Sequence, residues 1–223
     1  MKNNPDQLQE LKKSEVLKFY RQRKYKPLWS NEKGRLDRAY DLLHVIISAR
    51  DEGLDPADYY FEEFSKYWDS TGLGDSVQLD LLLSAALYRY SSDVYSGRLN
   101  ANDLDPDWHI KNKPLNVSRL FADVSGKSSI AKLLKELPPQ HAGYQSLKQQ
   151  LHNFRELSQQ GGWQRLGWGP VLERGMQHEQ VVPLRRRLKL TGDLAVDPFP
   201  DMDMFDRWLE EAVMHYQARH GLE

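Results

Sequence analysis

The sequence predicts an all-α protein in which a domain of several packed helices is followed by a small helical module. Apolar residues recur at steps of three and four along most of the chain, which is the spacing of one helix face. Capping and helix-stopping residues stand at the ends of these runs, and no run shows convincing strand-like alternation. With 39% hydrophobic and 28% charged residues among 223, the composition is typical of a globular protein.

Apolar stripes predict the main helices, and we expect each stripe to face a core. In chain order they are Leu36-Tyr40-Leu43-Ile47, Leu79-Leu82-Leu83-Ala86-Tyr90-Val94, Ile130-Leu133-Leu134-Leu137, Tyr144-Leu147-Leu151-Phe154 and Phe205-Leu209-Ala212-Val213-Tyr216. A further short helix is expected over Val181, Leu184 and Leu188.

Residues with known end preferences mark the helix boundaries. Asp55–Pro56 and Asp105–Pro106 each place an Asp at an N-cap and a Pro at the first helical position. Gly53, Gly97 and Gly221 follow periodic runs, where a left-handed residue commonly ends a helix. These positions predict where the chain turns.

A domain boundary is predicted near residue 170. The stretch 161–170 is rich in Gly and Trp and has no helical period, so it predicts a loop that leads out of a helical domain. Residues 1–170 form the first predicted domain and residues 171–223 the second. A two-helix unit of about forty residues is too small to bury a good core unaided, so it should pack on the first domain or lack a piece.

Charge and cysteine content exclude several classes of function. The net charge of -1 gives no general attraction to DNA, RNA or anionic lipid, and we expect no nucleic-acid partner. The N-terminal residues, among them Lys12 and Lys13, are locally basic and form either a solvated helix face or a contact for an anionic polymer. The absence of cysteine excludes thiol nucleophiles, disulfides and thiolate metal sites.

Targeting signals are not evident in the sequence. No apolar run approaches the roughly 20 residues that span a bilayer. Residues 1–10 are polar and lack the apolar centre of a signal peptide. The protein is therefore either cytoplasmic or the sequence begins after an export signal.

Motif-like strings for cofactors and metals fail at required positions. Gly126–Ser128 resembles the end of a phosphate-binding loop, but the position of its first glycine holds Phe121. Asp201, Asp203 and Asp206 resemble the start of a calcium loop, but Asp206 occupies the glycine position. The histidines do not cluster as metal ligands, so we predict no cofactor and no metal site.

No catalytic residue is predicted. The carboxylate pairs Glu62–Glu63 and Glu210–Glu211 are adjacent on helices and diverge, although folding could bring acids together as in a glycosidase. No serine lies in a G-x-S-x-G turn. A glycosidase with paired carboxylates stays open as a hypothesis.

Two groups of side chains are candidates for binding. Trp163 and Trp168 lie in the Gly-rich loop, where they either pack as lids on the helical domain or stack on a sugar or partner surface. Arg185–Arg187 fan out around a helix, and at least one should lie near the core edge and pair with an acid such as Asp193 or Asp206. The remaining arginines form a solvated face or contact an anionic, carboxylate-bearing polymer.

Several short strings follow one another in a characteristic order. They are Phe19-Tyr20-x-x-Arg23-x-Tyr25-x-Pro27-x-Trp29; Ala49-x-x-x-Gly53-Leu54-x-Pro56-x-x-Tyr59; Ala86-Leu87-x-x-Tyr90-x-x-Asp93-x-x-x-Gly97-Arg98; Pro139 with Tyr144 and Leu147; and Gly161-Gly162-Trp163. In this order the chain resembles the large L,D-transpeptidases of bacterial cell walls, in which a helical scaffold domain precedes a peptidoglycan-binding module.

The C-terminal part looks like the common peptidoglycan-binding fold. Its strings are Leu184-x-x-Arg187-Leu188-x-x-x-Gly192-Asp193 and Phe205-Asp206-x-x-Leu209-x-x-Ala212-Val213-x-x-Tyr216-Gln217-x-x-His220-Gly221-Leu222. From these strings and the preceding loop, the candidate ligand-binding residues are Arg187, Asp193, Gln217, His220, Trp163 and Trp168.

Two departures from the family pattern shape the expectation. The family module normally continues with an Asp-Gly turn and a third helix, whereas this sequence stops at Glu223. The family's reaction uses a cysteine nucleophile in a later domain, and this chain has no cysteine. We therefore expect a multi-helix scaffold domain followed by a small, incomplete helical peptidoglycan-binding-like module, without catalytic activity.

The resemblance implies the non-catalytic scaffold and peptidoglycan-binding portion of an L,D-transpeptidase, which cross-links peptide stems of peptidoglycan or attaches proteins to them. The implied location is the periplasm or cell envelope. The implied partners are peptidoglycan, through its glycan or stem peptides, and the catalytic domain of the parent enzyme. The alternative is a helical protein-interaction adaptor that docks cell-wall synthases.

Overall fold

The computed structural model describes residues 16–99, 103, 107 and 112–222, and the chain forms two compact units. The first unit ends at Gln149 and the second begins at Gln150. A domain division near residue 170 stays a prediction. The predicted cap at Asp105–Pro106 and the basic residues Lys12 and Lys13 lie outside the described residues.

The described part of the first unit is mostly helical, as predicted. Residues 16–22 are helical (α1), and a two-stranded antiparallel hairpin follows, in which Ser30 pairs with Arg35 and Asn31 with Gly34. The elements in chain order are β1 Ser30–Asn31, β2 Gly34–Arg35, α2 Asp37–Ile47, 3₁₀ turns at Ser48–Glu52 and Pro56–Tyr59, α3 Phe61–Tyr67, α4 Leu73–Ser96, α5 Val117–Ser125, α6 Ala131–Glu136 and α7 Ala142–Gln159.

The predicted boundaries at Gly53 and Asp55 are confirmed. The Asp55 side chain accepts a hydrogen bond from the Ala57 backbone N–H at 3.1 Å, with Pro56 in the first turn of a 3₁₀ segment. Gly53 ends the preceding 3₁₀ segment in the left-handed conformation, with φ 78° and ψ 14°. This backbone region favours glycine because a Cβ atom is strained there.

The apolar face of α4 was predicted correctly, whereas that of α2 was not. Most of the α4 stripe is buried in the core of the first unit. In α2 the buried residues are Ala39, Leu42 and Ile46, while Tyr40 and Ile47 are nearly half exposed. Both sets have helical spacing, and the packing of α2 on α4 and α6 selects the set that contains the small Ala39.

The stripe predicted on α7 does not face a core. No residue of α7 is buried, and Leu147 and Phe154 are 72% and 51% exposed. The helix is fixed by polar contacts instead, because Glu52 accepts hydrogen bonds from the Tyr144 hydroxyl at 2.6 Å and from Lys148 Nζ at 2.5 Å. Helical spacing predicted the helix but not how it is held.

A buried polar cluster, called here the Asp80 network, joins α1 and the segment before β1 to α4. Asp80 accepts hydrogen bonds from the Tyr20 hydroxyl at 2.5 Å, Leu28 N at 3.0 Å and Trp29 N at 2.9 Å. Ser84 on the next turn contacts the Tyr20 hydroxyl at 2.6 Å and accepts from Trp29 Nε1 at 2.8 Å. These bonds satisfy donors that burial would otherwise leave without water.

Two side chains of α2 hold the turn between α5 and α6. Arg38 Nη1 donates to three carbonyls at the end of α5, on residues 124, 125 and 127, at 3.0–3.1 Å. Asp41 accepts from Ile130 N at 2.7 Å at the start of α6. A cation therefore meets a helix C-terminus and an anion meets a helix N-terminus, which suits both macrodipoles.

The second unit contains the end of α7 and two further helices, α8 Val181–Leu190 and α9 Arg207–Arg219. The predicted Phe205 helix begins at Arg207, because Asp206 is its N-cap and accepts from Leu209 N at 2.9 Å. Gln177 and Met204 form an antiparallel bridge. The core residues of this unit are Val181, Leu188, Leu194, Phe205, Leu209 and Ala212. Among the described helices, none is both long and apolar enough to cross a bilayer.

Candidate functional site

A groove in the second unit is the candidate site. It lies between α8, α9 and the Gly- and Trp-rich loop, with a volume of about 740 Å³. Its size falls within the range of small-ligand pockets in proteins. Apolar side chains lining it include Leu172, Leu184, Leu188, Phe205 and Val213. Polar and aromatic side chains lining it include Trp163, Gln164, Arg165, Arg187, Tyr216 and Gln217.

A cation–π pair lies at this groove. The guanidinium carbon of Arg187 is 3.6 Å from the centroid of the Trp163 ring. The same ring meets Phe154 edge-on, with centroids 6.2 Å apart. Trp163 therefore packs within the second unit, with Arg187 covering one face of its indole.

Three of the six predicted ligand-binding residues converge on the groove and three do not. Trp163, Arg187 and Gln217 line it, whereas Trp168, Asp193 and His220 are not among its lining residues. Whether these residues bind a ligand stays a prediction.

Trp168 is fully exposed at the tip of a loop whose backbone is fixed. Gln180 Nε2 donates to the carbonyls of Gly167 and Trp168, each at 3.1 Å. A Cβ atom on Gly169 would lie 2.6 Å from Gln180 Oε1, so a larger residue there would displace the Gln180 amide.

Asp193 and His220 contact α9 residues. Asp193 accepts two hydrogen bonds from Arg219, each at 2.8 Å, and one from the Thr191 hydroxyl at 2.6 Å. The Arg219 hydrogen bonds lower the pKa of Asp193 to about 2. The His220 ring lies 4.4 Å from the Tyr216 ring. The structure thus gives Asp193 a role in joining the end of α8 to α9.

Replacing Asp193 with asparagine is expected to destabilise the chain at neutral pH by a modest amount, since Arg219 is nearly half exposed and screened by water. The folded-state pKa is depressed, so the stabilisation is present above the unfolded value of about 3.9 and is lost as the pH falls through about 2. Denaturant unfolding of both proteins between about pH 5 and pH 2 should show the difference closing. A pH-independent difference would contradict this assignment.

The three consecutive arginines have three different environments. The prediction that one pairs with an acid at the core edge is confirmed, because the fully buried Arg185 contacts Asp206 and, at 2.8 Å, Asp197. Arg186 is 70% exposed and lies 3.5 Å from Asp201. Arg187 lines the groove.

Sequence reasoning missed Arg165, the second cation of the groove. Its position between Trp163 and Trp168, two predicted binding residues, is the sequence feature that could have identified it. Among the described residues lining the groove, none is acidic. Neither Glu62–Glu63 nor Glu210–Glu211 lines it, and the described part of the chain holds no cluster of three possible metal ligands.

Comparison with known proteins gives one match. A family model described as Scaffold domain matches residues 14–151. No curated protein and no solved structure matches the chain at a significant level. The groove lies beyond the matched residues.

Proposed function

The chain belongs to the Scaffold domain family over residues 14–151, and from this premise we propose that it is the non-catalytic, peptidoglycan-binding portion of an L,D-transpeptidase that cross-links the cell wall. The order of its sequence strings supports the proposal, because it resembles that of the large enzymes of this class. The parent enzyme would work in the periplasm or cell envelope. The first unit would position the catalytic domain, which would supply the cysteine that this chain lacks.

The groove of the second unit is the observation that carries the binding half of the proposal. Peptidoglycan offers sugar rings and short peptides that carry carboxylates. A groove with an apolar lining, aromatic rings and two arginines has chemistry to match such an amphipathic, anionic polymer.

Purified sacculi should retain the chain at low salt, and replacing Arg187 with glutamine should reduce the retained fraction by about threefold or more, as expected for a lost charge-assisted hydrogen bond. Gln217→Ala should reduce it less, because a neutral partner is lost. Co-sedimentation with sacculi measures both changes. Arg186→Gln is the matched control, since it removes the same charge one residue away on an exposed side chain.

No retention of the wild-type chain would remove the binding half of the proposal and leave the scaffold half. Equal loss in Arg186→Gln and Arg187→Gln would show that general charge, rather than the groove, is responsible.

A helical adaptor that docks a cell-wall synthase is the second candidate, favoured by one observation. Leu73, Val77 and Leu81 recur every four residues on α4 and are 83%, 51% and 44% exposed, which forms an apolar stripe on its surface. Co-purification with a synthase that is lost in Val77→Glu, together with no retention on sacculi, would favour the adaptor.

A further inference from the structure

We infer that the groove binds a carboxylate of the peptidoglycan stem peptides rather than the glycan, with Arg187 as the carboxylate-binding residue. This inference rests on the proposed function and adds the chemical class of ligand. Three features of the groove carry it: the environment of Arg187, the charge of the lining, and the occupied faces of its aromatic rings.

No carboxylate of the described residues lies within 4.0 Å of Arg187, in contrast to the three arginines Arg185, Arg186 and Arg219. Arg185 and Arg219 are each hydrogen-bonded to aspartates, and Arg186 lies 3.5 Å from Asp201. The Arg187 guanidinium instead lies over the Trp163 ring at 3.6 Å. A guanidinium held against an aromatic ring keeps its N–H donors in its own plane, where they can meet a carboxylate in a two-bond contact.

The lining of the groove carries positive charge only. Arg165 lies on the same lining as Arg187, and the described lining residues include no Asp or Glu. Asp193, the acid nearest in sequence after α8, is engaged by Arg219 and Thr191. Two cations beside an apolar surface favour an anionic group over a neutral sugar.

Of the three aromatic rings of the lining, Trp163 and Tyr216 are contacted by other side chains, and Phe205 is buried in the core. One face of Trp163 is covered by Arg187. The Tyr216 ring is contacted by the His220 ring at 4.4 Å and by the Arg219 guanidinium carbon at 5.2 Å. A sugar ring binds aromatic residues by stacking on a free face, and these contacts leave less ring surface in the groove for such stacking. Trp168, whose indole is free, is not a lining residue.

The apolar part of the lining suits the rest of a short peptide. Leu172, Leu184 and Val213 are only partly buried and provide a surface for small apolar side chains in the same groove as Arg187. A peptide that places a methyl-bearing residue on this surface and a carboxylate at the guanidinium would use both parts of the groove.

Three preparations of sacculi separate the peptide from the glycan. Intact sacculi carry both. Glycan strands released by an N-acetylmuramoyl-L-alanine amidase, immobilised and then amidated at the lactyl carboxylates that the hydrolysis frees, keep the glycan alone. Carbodiimide-amidated sacculi keep the peptides without free carboxylates. The full chain should bind intact sacculi and bind the other two preparations about tenfold more weakly, the effect of one lost charged contact. Arg187→Gln should bind intact sacculi about tenfold more weakly, and Arg186→Gln should change binding by less than about twofold.

Arg187→Lys keeps the positive charge but loses the planar fork, so its binding to intact sacculi should fall between those of wild type and Arg187→Gln. Equal binding to intact sacculi and to the amidated glycan strands would overturn this inference and leave the proposed function standing. Equal binding to intact and amidated sacculi, or wild-type binding by Arg187→Gln, would overturn the carboxylate contact. No binding to intact sacculi would overturn both the inference and the binding half of the proposed function.

Discussion

Replacing Arg185 with methionine is expected to lower the free energy of unfolding of the second unit by about 3–5 kcal/mol, as for other broken buried ion pairs. The Arg185 side chain is fully buried and contacts the carboxylates of Asp197 and Asp206. It also donates to the Met202 carbonyl at 3.2 Å and the Met204 carbonyl at 2.9 Å. Methionine fills similar volume but leaves two aspartates without their cation in a buried site.

Hydrogen exchange of peptides from α8 and α9 measures this loss within the second unit. The control is Arg186→Met on the same helix, which should change the free energy by less than about 0.5 kcal/mol because Arg186 is mostly exposed. Similar protection from exchange in Arg185→Met and wild type would contradict the prediction and would show that the two aspartates bind other partners or become protonated.

Replacing Asp80 with alanine is expected to destabilise the first unit by about 3 kcal/mol or more, because three buried donors would each lose an acceptor at a cost of about 1–3 kcal/mol. The Tyr20 hydroxyl and the backbone N–H groups of Leu28 and Trp29 would lose their acceptor. Burial raises the pKa of the Asp80 carboxyl, and the hydrogen bonds from Tyr20, Trp29 and Leu28 oppose that rise. The variant therefore removes the acceptor of these three buried hydrogen-bond donors.

Denaturant unfolding and exchange of peptides from α1 and α4 measure the effect. Gln78→Ala is the matched control, because this neighbouring residue of α4 is exposed. The stability of Asp80→Asn should lie between those of Asp80→Ala and Gln78→Ala, since the asparagine amide oxygen can still accept hydrogen bonds from the backbone N–H groups of Leu28 and Trp29. An Asp80→Ala protein as stable as the control would show that the network contributes little to the first unit.

The existence of the longer helices was predictable because periodicity is a local property, whereas the short helices α3 and α5 and the β1–β2 hairpin were not predicted. The α4 stripe, the Asp55 cap and the left-handed Gly53 are each set by residues a few positions apart. The choice between two apolar faces of α2 was not predictable, since both faces have the same spacing and only packing partners distinguish them. The prediction that the α7 stripe faces a core was wrong for the same reason, because spacing along the helix does not show what packs against it.

The candidate site was predicted in part. Arg187, Trp163 and Gln217 meet at one groove although Trp163 precedes α8 and Gln217 lies on α9. Asp193 and His220 share the same sequence strings but contact Arg219 and Tyr216 instead. A string records which residues occur together along the chain, whereas side-chain direction depends on where each helix begins and what it packs against.

The sequence by itself determined that this protein is helical, where many of its helices end, that it carries no thiol, and that one of three neighbouring arginines must find an acid. Only the tertiary structure decided that Arg185 is that arginine, that Arg186 stays in water and that Arg187 lies on Trp163 at a groove without acids. The physical reason is that helix formation depends on contacts three and four residues apart. The environment of an ionised side chain depends instead on distant segments, here the loops before α8 and before α9, that the fold brings to it.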